Sequence, residues 1–264
     1  MQPAKSIAVL VVTDDLQSRW PRLRESLSDQ TSAEFQTVLV DNASSGSDGE
    51  DAPDTIVLRN IRRQPLHICL NRGWSLIKNR WEGQPLAERF VFFVSADMLL
   101  APNLFETLSG AMAADPTLVM AGADLYPSRF ELVSGETPEL MHGETHLGSG
   151  WVLRTARGPF PAPASPKKYF APFPQAVMIR ASVLEGLGTD PFSALDPRLV
   201  WLDAMWRIRS NGGRSEPVEG ASVWLQPGAT LAKPGFFLYL RWVWSRRLRL
   251  PSRVTPEQRS SWFV

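Results

Sequence analysis

The chain has 264 residues, 44% of them hydrophobic and 21% charged, with a formal net charge of +1. That composition suits a globular protein of one large domain or two small ones. The near-neutral charge and the lack of nucleic-acid-binding motifs argue against a nucleic-acid partner, and the single cysteine, Cys69, excludes an internal disulfide and a cysteine-based zinc site.

There is no uninterrupted apolar run of about 18 residues, so no spanning helix is expected. The first apolar stretch, residues 7–12, is too short for a signal peptide and ends in Thr13-Asp14-Asp15. The expected location is the cytoplasm. The 22 prolines imply many loops, and the 10 tryptophans imply large amphipathic surfaces, either in a sugar-binding cleft or at a membrane interface.

Residues 6–13 read as a first buried strand. Leu16, Trp20, Leu23 and Leu27 recur at helical spacing, and Pro21 inside that pattern places the helix start near Trp20. A second strand, residues 35–40, ends in Asp41-Asn42 and leads into a polar loop of turn formers at 42–49. A short strand follows at 55–58. Asn71-Arg72-Gly73 opens a helix expected over 74–80. Phe90-Val91-Phe92-Phe93-Val94 is continuously apolar and runs into Ser95-Ala96-Asp97, as in a strand buried on both faces. Pro102-Asn103 starts a helix through Leu104, Leu108 and Met112, and residues 118–123 form a further strand.

This alternation implies right-handed βαβ units and a parallel sheet. From 125 to 173 the texture turns loop-rich, with a strand candidate at 150–154. Regular structure returns at 175–180 and 181–187. A helix is expected over 199–210, closed by Asn211-Gly212-Gly213, and a late strand over 218–225.

Two strands thus end in a carboxylate. In open α/β sheets, ligands bind outside the carboxyl ends of the strands. Asp41 can accept hydrogen bonds from a nucleobase or ribose. Asp97 can hold a divalent cation bridging two phosphates, because Mg²⁺ takes only one or two protein carboxylates there. The alternative is that each Asp caps a turn.

Five segments, in order over roughly residues 6–230, resemble the family 2 nucleotide-sugar glycosyltransferases. They are the opening strand with Gln30-Thr31 and Val38-Leu39-Val40-Asp41-Asn42-Ala43-Ser44; Asn71-x-Gly73 with Asn79; Val91 to Asp97; Phe173 to Arg180; and Asp203 to Gly212. The resemblance implies a GT-A fold, with a mostly parallel central sheet flanked by helices and a loop-rich acceptor region. It divides the chain into a nucleotide-sugar-binding half at 1–124, an acceptor-side half at 125–232 and an aromatic, basic tail at 233–264. It implies an inverting transfer, dependent on Mg²⁺ or Mn²⁺, from a nucleotide-diphosphate sugar to a glycan or lipid-linked acceptor. Thr13, Asp41, Asn71, Gly73, Asn79, Ser95 and Asp97 are then the donor-side residues, with Asp97 on the metal. Gln175 and Trp201 are then on the acceptor side.

Two positions depart from the family pattern. The usual catalytic base stands six positions before the Arg matching Arg207, where this chain has Trp201. The late "H-x-x-G-x-S" segment reads Leu225-Gln226-Pro227-Gly228-Ala229-Thr230, without the His. Asp203 is two residues from the expected base, about 200° around a helix. Asp190 and Asp196, on the preceding loop, are freer to reach the site. Asp203 serves if the register slips near Pro197. Asp203 and Asp196 are therefore the candidates for deprotonating the acceptor.

His142-Gly143-Glu144-Thr145-His146 would offer two metal ligands only on a helix, which Gly143 and the nearby Pro138 and Gly148 oppose; a solvated loop is the alternative. The segment 236–250 is aromatic and basic. As a helix it could lie at the inner membrane face with Trp and Arg at headgroup level, or pack on the domain. A glycosyltransferase-like binding protein without activity is a second reading. A nucleotidyltransferase is a third, opposed by the acidic, glycine-free loop Thr13-Asp14-Asp15-Leu16-Gln17.

Overall fold

A computed structural model describes residues 5–32, 35–45, 54–132, 138–142, 147, 150–155, 168–173, 175–192, 199–229 and 248–253. Its first half alternates as expected: β1 (Ile7–Thr13), α1 (Trp20–Ser28), β2 (Phe35–Asp41), β3 (Thr55–Arg59), α2 (Leu66–Arg80) and β4 (Phe90–Ser95). A three-residue strand, β5 (Met98–Leu100), precedes α3 (Leu104–Ala114) and the long β6 (Leu118–Leu132). Then come β7 (Pro138–His142), β8 (Gly150–Thr155), β9 (Lys168–Pro172), β10 (Ala176–Arg180), α4 (Ala181–Gly186), α5 (Val200–Ser210), β11 (Arg214–Leu225) and β12 (Leu248–Arg253).

Among the described residues the main sheet has nine strands in the order β3-β2-β1-β4-β10-β6-β11-β5, with β7 added to β6. β3, β2, β1 and β4 are mutually parallel, as are β6 and β11, while β10 runs antiparallel between β4 and β6. β12, β8 and β9 form a separate three-stranded sheet.

The strands are apolar on both faces because both faces are covered. Ala8, Leu10, Val38, Val91 and Phe93 face α2, α4 and α5, packing with Trp74, Ile77, Leu184 and Met205. Val9, Val11, Leu39 and Phe92 face the other way, toward Leu23 and Leu27 of α1 and Leu104, Phe105 and Leu108 of α3. The chain leaves β1 toward β2 over the α1 face. It reaches β4, on the other flank of β1, over the α2 face. Connections diverge between β1 and β4, and such a switch point opens a crevice at the carboxyl ends of the strands.

Four expectations need correction. α2 begins at Leu66, ahead of the expected opening at Asn71, because Pro65 supplies an extended entry residue (φ −56°, ψ 145°) and the apolar stripe extends back to Cys69 and Leu70. β6 runs unbroken through residue 125, where a loop-rich stretch was expected. His142 ends a strand, paired with Ser128, where the sequence favours a solvated loop over a helix; residues 143–146 lie outside the described residues. Leu248–Arg253 is a strand paired with β8, so the tail is not helical there. The rest of the tail, 230–247 and 254–264, lies outside the described residues.

Candidate functional site

Register brings the strand-end residues together. Thr13 pairs with Asp41 and Val12 pairs with Ser95, so β1 lies between two strands whose acidic ends share its rim. Asp41 continues the row to Arg59 on β3. Asp41 and Asp97 therefore stand at one rim of one sheet, flanking the switch point.

Asp41 is 2% exposed, and its Oδ1 accepts the Ser44 N–H at 2.9 Å. It thus shapes the loop that follows β2, where Ala43 adopts a positive φ of 64°. A non-glycine residue in that region stores strain of order 1–3 kcal/mol, which the surrounding bonds hold in place. Asn42 supplies several of them. Its Nδ2 donates to the Gln64 carbonyl at 2.9 Å, and its Oδ1 accepts from Gln64 N and from Asn60 Nδ2. Arg72 in turn donates to Asn60 Oδ1. Thr13 Oγ1 accepts the Asp15 N–H at 3.1 Å, which turns the chain away from the rim. Hydrogen bonds from the Ser18 hydroxyl and N–H hold the Asp15 carboxyl below the usual range.

The Ser95–Asp97 turn is built by two further residues. The Ser95 hydroxyl donates to Asp97 Oδ2 and accepts the Asp97 N–H, each at 3.3 Å. Gln226, 1% exposed, donates from Nε2 to the carbonyls of Ala96 (2.8 Å), Arg19 (3.1 Å) and Met98 (3.4 Å). Its N–H donates to the Asp97 carbonyl at 2.7 Å. Arg19 forms an ion pair with Asp97, Nε to Oδ1 at 3.4 Å, and donates from Nη1 to the Pro227 carbonyl at 3.2 Å. Neither Arg19 nor Gln226 was singled out from the sequence for this site. A lone Arg at a helix start carries no local signal, and the only signal at Gln226 is its place in the 225–230 segment, which lacks the His; the docking of α1 and β11 at the end of β4 gives both residues this place.

Gln175 reaches the same turn: its carbonyl accepts the Ser95 N–H at 3.1 Å. Its side-chain Oε1 is buried and has no hydrogen-bond partner among the described residues.

The remaining predicted residues lie elsewhere. Asn71 exchanges two hydrogen bonds with the Phe192 backbone, at 2.8 and 3.0 Å. With His67, Ile68, Arg72, Ser75 and Asp190 it lines an open cleft of about 640 Å³. Gly73 lets α2 lie against β1, because a Cβ there would stand 3.0 Å from Leu10 Cδ2 and closer still to Cδ1. Asn79 is at the opposite end of α2, beside Trp81, whose Nε1 donates to the carbonyl of Lys5 just before β1. A helix of 15 residues returns the chain to the amino ends of the strands, so Asn79 does not share the rim of Asp41 and Asp97.

On α5, the Trp201 ring packs edge-on against Phe93 (centroids 4.8 Å apart) and Phe192 (5.1 Å). Asp203 is 1% exposed and ion-paired with Arg207, Nε to Oδ2 at 3.4 Å. Asp196 lies outside the described residues.

As to a divalent cation, no group of three or more His, Cys, Asp or Glu is gathered among the described residues. The donor set at the rim is the Asp97 carboxylate with the Ser95 hydroxyl beside it, and the Asp97 side chain is 37% exposed. One accessible carboxylate fits a Mg²⁺ or Mn²⁺ that takes its other ligands from phosphate and water. Among the described residues, no helix is long and apolar enough to cross a membrane.

No protein-family profile and no curated protein matches the chain. Among solved structures it is similar to the crystal structure of GalNAc-T7 with UDP, GalNAc and Mn²⁺, with a TM-score of 0.55 and 14% identity over 92% of this chain and 48% of that one. The chain thus spans about half the length of the protein it matches. At this identity the likeness speaks for the fold alone: a mixed α/β architecture, with a curled, mostly parallel central sheet flanked by helices, that is the GT-A fold.

Proposed function

We propose that the protein is a glycosyltransferase that moves a sugar from a nucleotide-diphosphate sugar to a hydroxyl acceptor on a glycan or lipid-linked saccharide, with inversion. The observation that carries this reading is the shared rim. Thr13, Asp41, Ser95 and Asp97 stand together at the carboxyl ends of β1, β2 and β4, around the switch point of a GT-A fold. The solved neighbour is named as a complex with UDP, GalNAc and Mn²⁺, which agrees with a nucleotide-sugar donor and a divalent cation.

In this reading residues 1–124 bind the donor and 125–232 shape the acceptor side. Asp41 holds the loop that meets the nucleoside. Asp97 holds the cation, whose charge, when bound, stabilises the departing nucleoside diphosphate. Ser95 orients the Asp97 carboxylate, and Gln175, held to that turn by its backbone carbonyl, has a buried amide oxygen with no partner among the described residues. The acceptor hydroxyl gives its proton to Asp203 or Asp196. The first of these is buried and paired with Arg207, so it takes that proton only once it is exposed to the acceptor. The tail at 233–264 would bring the protein to a membrane surface on the cytoplasmic side, which co-sedimentation with anionic vesicles tests.

The test is a panel of nucleotide sugars in a thermal-shift assay with and without Mn²⁺, since a ligand bound only by the native state raises apparent stability. At least one sugar nucleotide should raise the unfolding temperature; no shift with any of them would remove the donor reading.

Trp201 favours a second reading. It stands where the family has its base, and its ring is committed to Phe93 and Phe192. A binding protein that keeps the donor pocket without turnover would have this residue. Release of free nucleotide from a bound sugar nucleotide, with lipid extract present, separates the two.

A further inference from the structure

Arg19 faces the same carboxylate that the cation would use. It comes from the loop ahead of α1, which the sequence gives no reason to place beside Asp97. Three contacts fix it there. Its carbonyl accepts Gln226 Nε2 at 3.1 Å, its Nη1 donates to the Pro227 carbonyl at 3.2 Å, and its Nε faces Asp97 Oδ1 at 3.4 Å. The buried Gln226 amide also holds the carbonyls on either side of Asp97, so Arg19 and the Ser95–Asp97 turn are positioned by one side chain.

The pair with Asp97 is loose. A charge-assisted N–H···O bond runs at about 2.7–2.9 Å, shorter than the 3.4 Å here. A guanidinium carries five N–H donors in a planar fork that matches phosphate oxygens two at a time. One donor is given to Pro227 and one faces Asp97, which leaves others for a ligand. The side chains are 26% and 37% exposed, so both groups reach solvent at the rim. A diphosphate drawn to this rim would meet the negative charge of Asp97 and needs a positive partner between them.

We propose that Arg19 is a donor-binding residue that engages the diphosphate directly, so that nucleotide binding persists without a divalent cation. The inference rests on the nucleotide-sugar reading above and adds to it a second source of positive charge. The cation and the guanidinium serve the same charge, and removing Arg19 makes binding strictly dependent on the metal.

The experiment is calorimetric titration of the full chain with UDP, GDP, dTDP and inorganic pyrophosphate, in EDTA and in Mn²⁺, for wild type, Arg19→Gln and Arg19→Lys. Gln keeps the backbone contact to Gln226 and removes the charge, and thermal unfolding of each variant verifies the fold. Wild type should bind at least one nucleoside diphosphate in EDTA. Arg19→Gln should weaken that binding by about 10–100-fold, the worth of one hydrogen bond to a charged group. Arg19→Lys should fall between them, and Mn²⁺ should restore most of the affinity of Arg19→Gln. If a diphosphate binds wild type in EDTA and Arg19→Gln leaves that affinity within about twofold, the role of Arg19 is overturned. It is overturned too if wild type binds only with Mn²⁺, while the donor reading stands. If no nucleoside diphosphate binds wild type under either condition, the donor reading itself falls and this inference with it.

Discussion

Asp203 and Arg207 stand one helical turn apart on α5, and their side chains meet at 3.4 Å with the Asp203 side chain only 2% exposed. Arg207 also donates to the Pro191 carbonyl, tying the helix to the chain segment ahead of it. Taking one partner from a buried pair leaves the other uncompensated. Asp203→Ala should therefore destabilise the fold by about 1–3 kcal/mol, less than the roughly 3–5 kcal/mol of a fully buried pair, because the Arg207 side chain is 27% exposed. Urea unfolding measures this. The double variant Asp203→Ala with Arg207→Met should regain much of the stability. If it also regains transfer activity, Asp203 is not the base.

At the rim, Asp97→Asn keeps the size of the side chain and one oxygen, but removes the charge. Mn²⁺-dependent affinity for a nucleotide sugar should fall by at least about tenfold, the cost of a lost charged partner. The unfolding temperature should hardly change, because the Asp97 side chain is 37% exposed. Unchanged calorimetric affinity would take Asp97 out of this role.

Gly73 and Asn71 are predicted to matter for stability more than for ligand contact. Gly73→Ala pushes a methyl into the buried Leu10 side chain, and overpacking of this kind costs about 1–3 kcal/mol. Asn71→Ala removes both hydrogen bonds to Phe192 and leaves a backbone N–H and carbonyl without them, for about 1–3 kcal/mol. Denaturant midpoints give both values. Full stability in Gly73→Ala would mean that the Leu10 side chain turns aside and the helix-forming gain of Ala offsets the rest.

Cys69 is fully buried, with Asn60 Nδ2 donating to its sulfur at 3.4 Å. Burial pushes the thiol up, outweighing the opposite pull of Asn60 and of the nearby Arg72 charge. A thiol reagent at pH 8 should react with it only as fast as the protein opens, and rapidly in denaturant. The linkage has a definite sign. The folded state binds this proton more tightly than the unfolded chain, so its contribution is complete below the ordinary thiol range and is lost as pH rises through the raised value. Cys69→Ala should flatten that alkaline loss of stability, read from urea midpoints against pH.

Much of the first half was legible in the chain because its signals are local. The runs 7–12, 35–40 and 90–94 are apolar on both faces, and the helices between them show their stripes. Parallel pairing follows from that alternation, and it puts Asp41 and Asp97 on one rim before any coordinates are known. The α2 start is hidden in the sequence because Pro65 reads as a break and His67 interrupts the apolar residues ahead of Cys69 and Leu70. β6 was cut short because charged and turn-forming residues such as Asp124, Pro127 and Arg129 interrupt its apolar run. Pairing with β11 and β7 supplies what its own composition lacks.

The sequence by itself determined the alternating α/β plan and the acidic strand ends, since periodicity and burial are properties of neighbouring residues. Tertiary structure alone decided what surrounds those acids. Arg19 and Gln226 lie 207 residues apart in the chain and meet only because α1 and the end of β11 close over the same turn. It also set Asn79 at the far rim and committed Trp201 and Asp203 to the packing of α5. A contact between distant segments is fixed by the whole sheet, and no local pattern of residues encodes it.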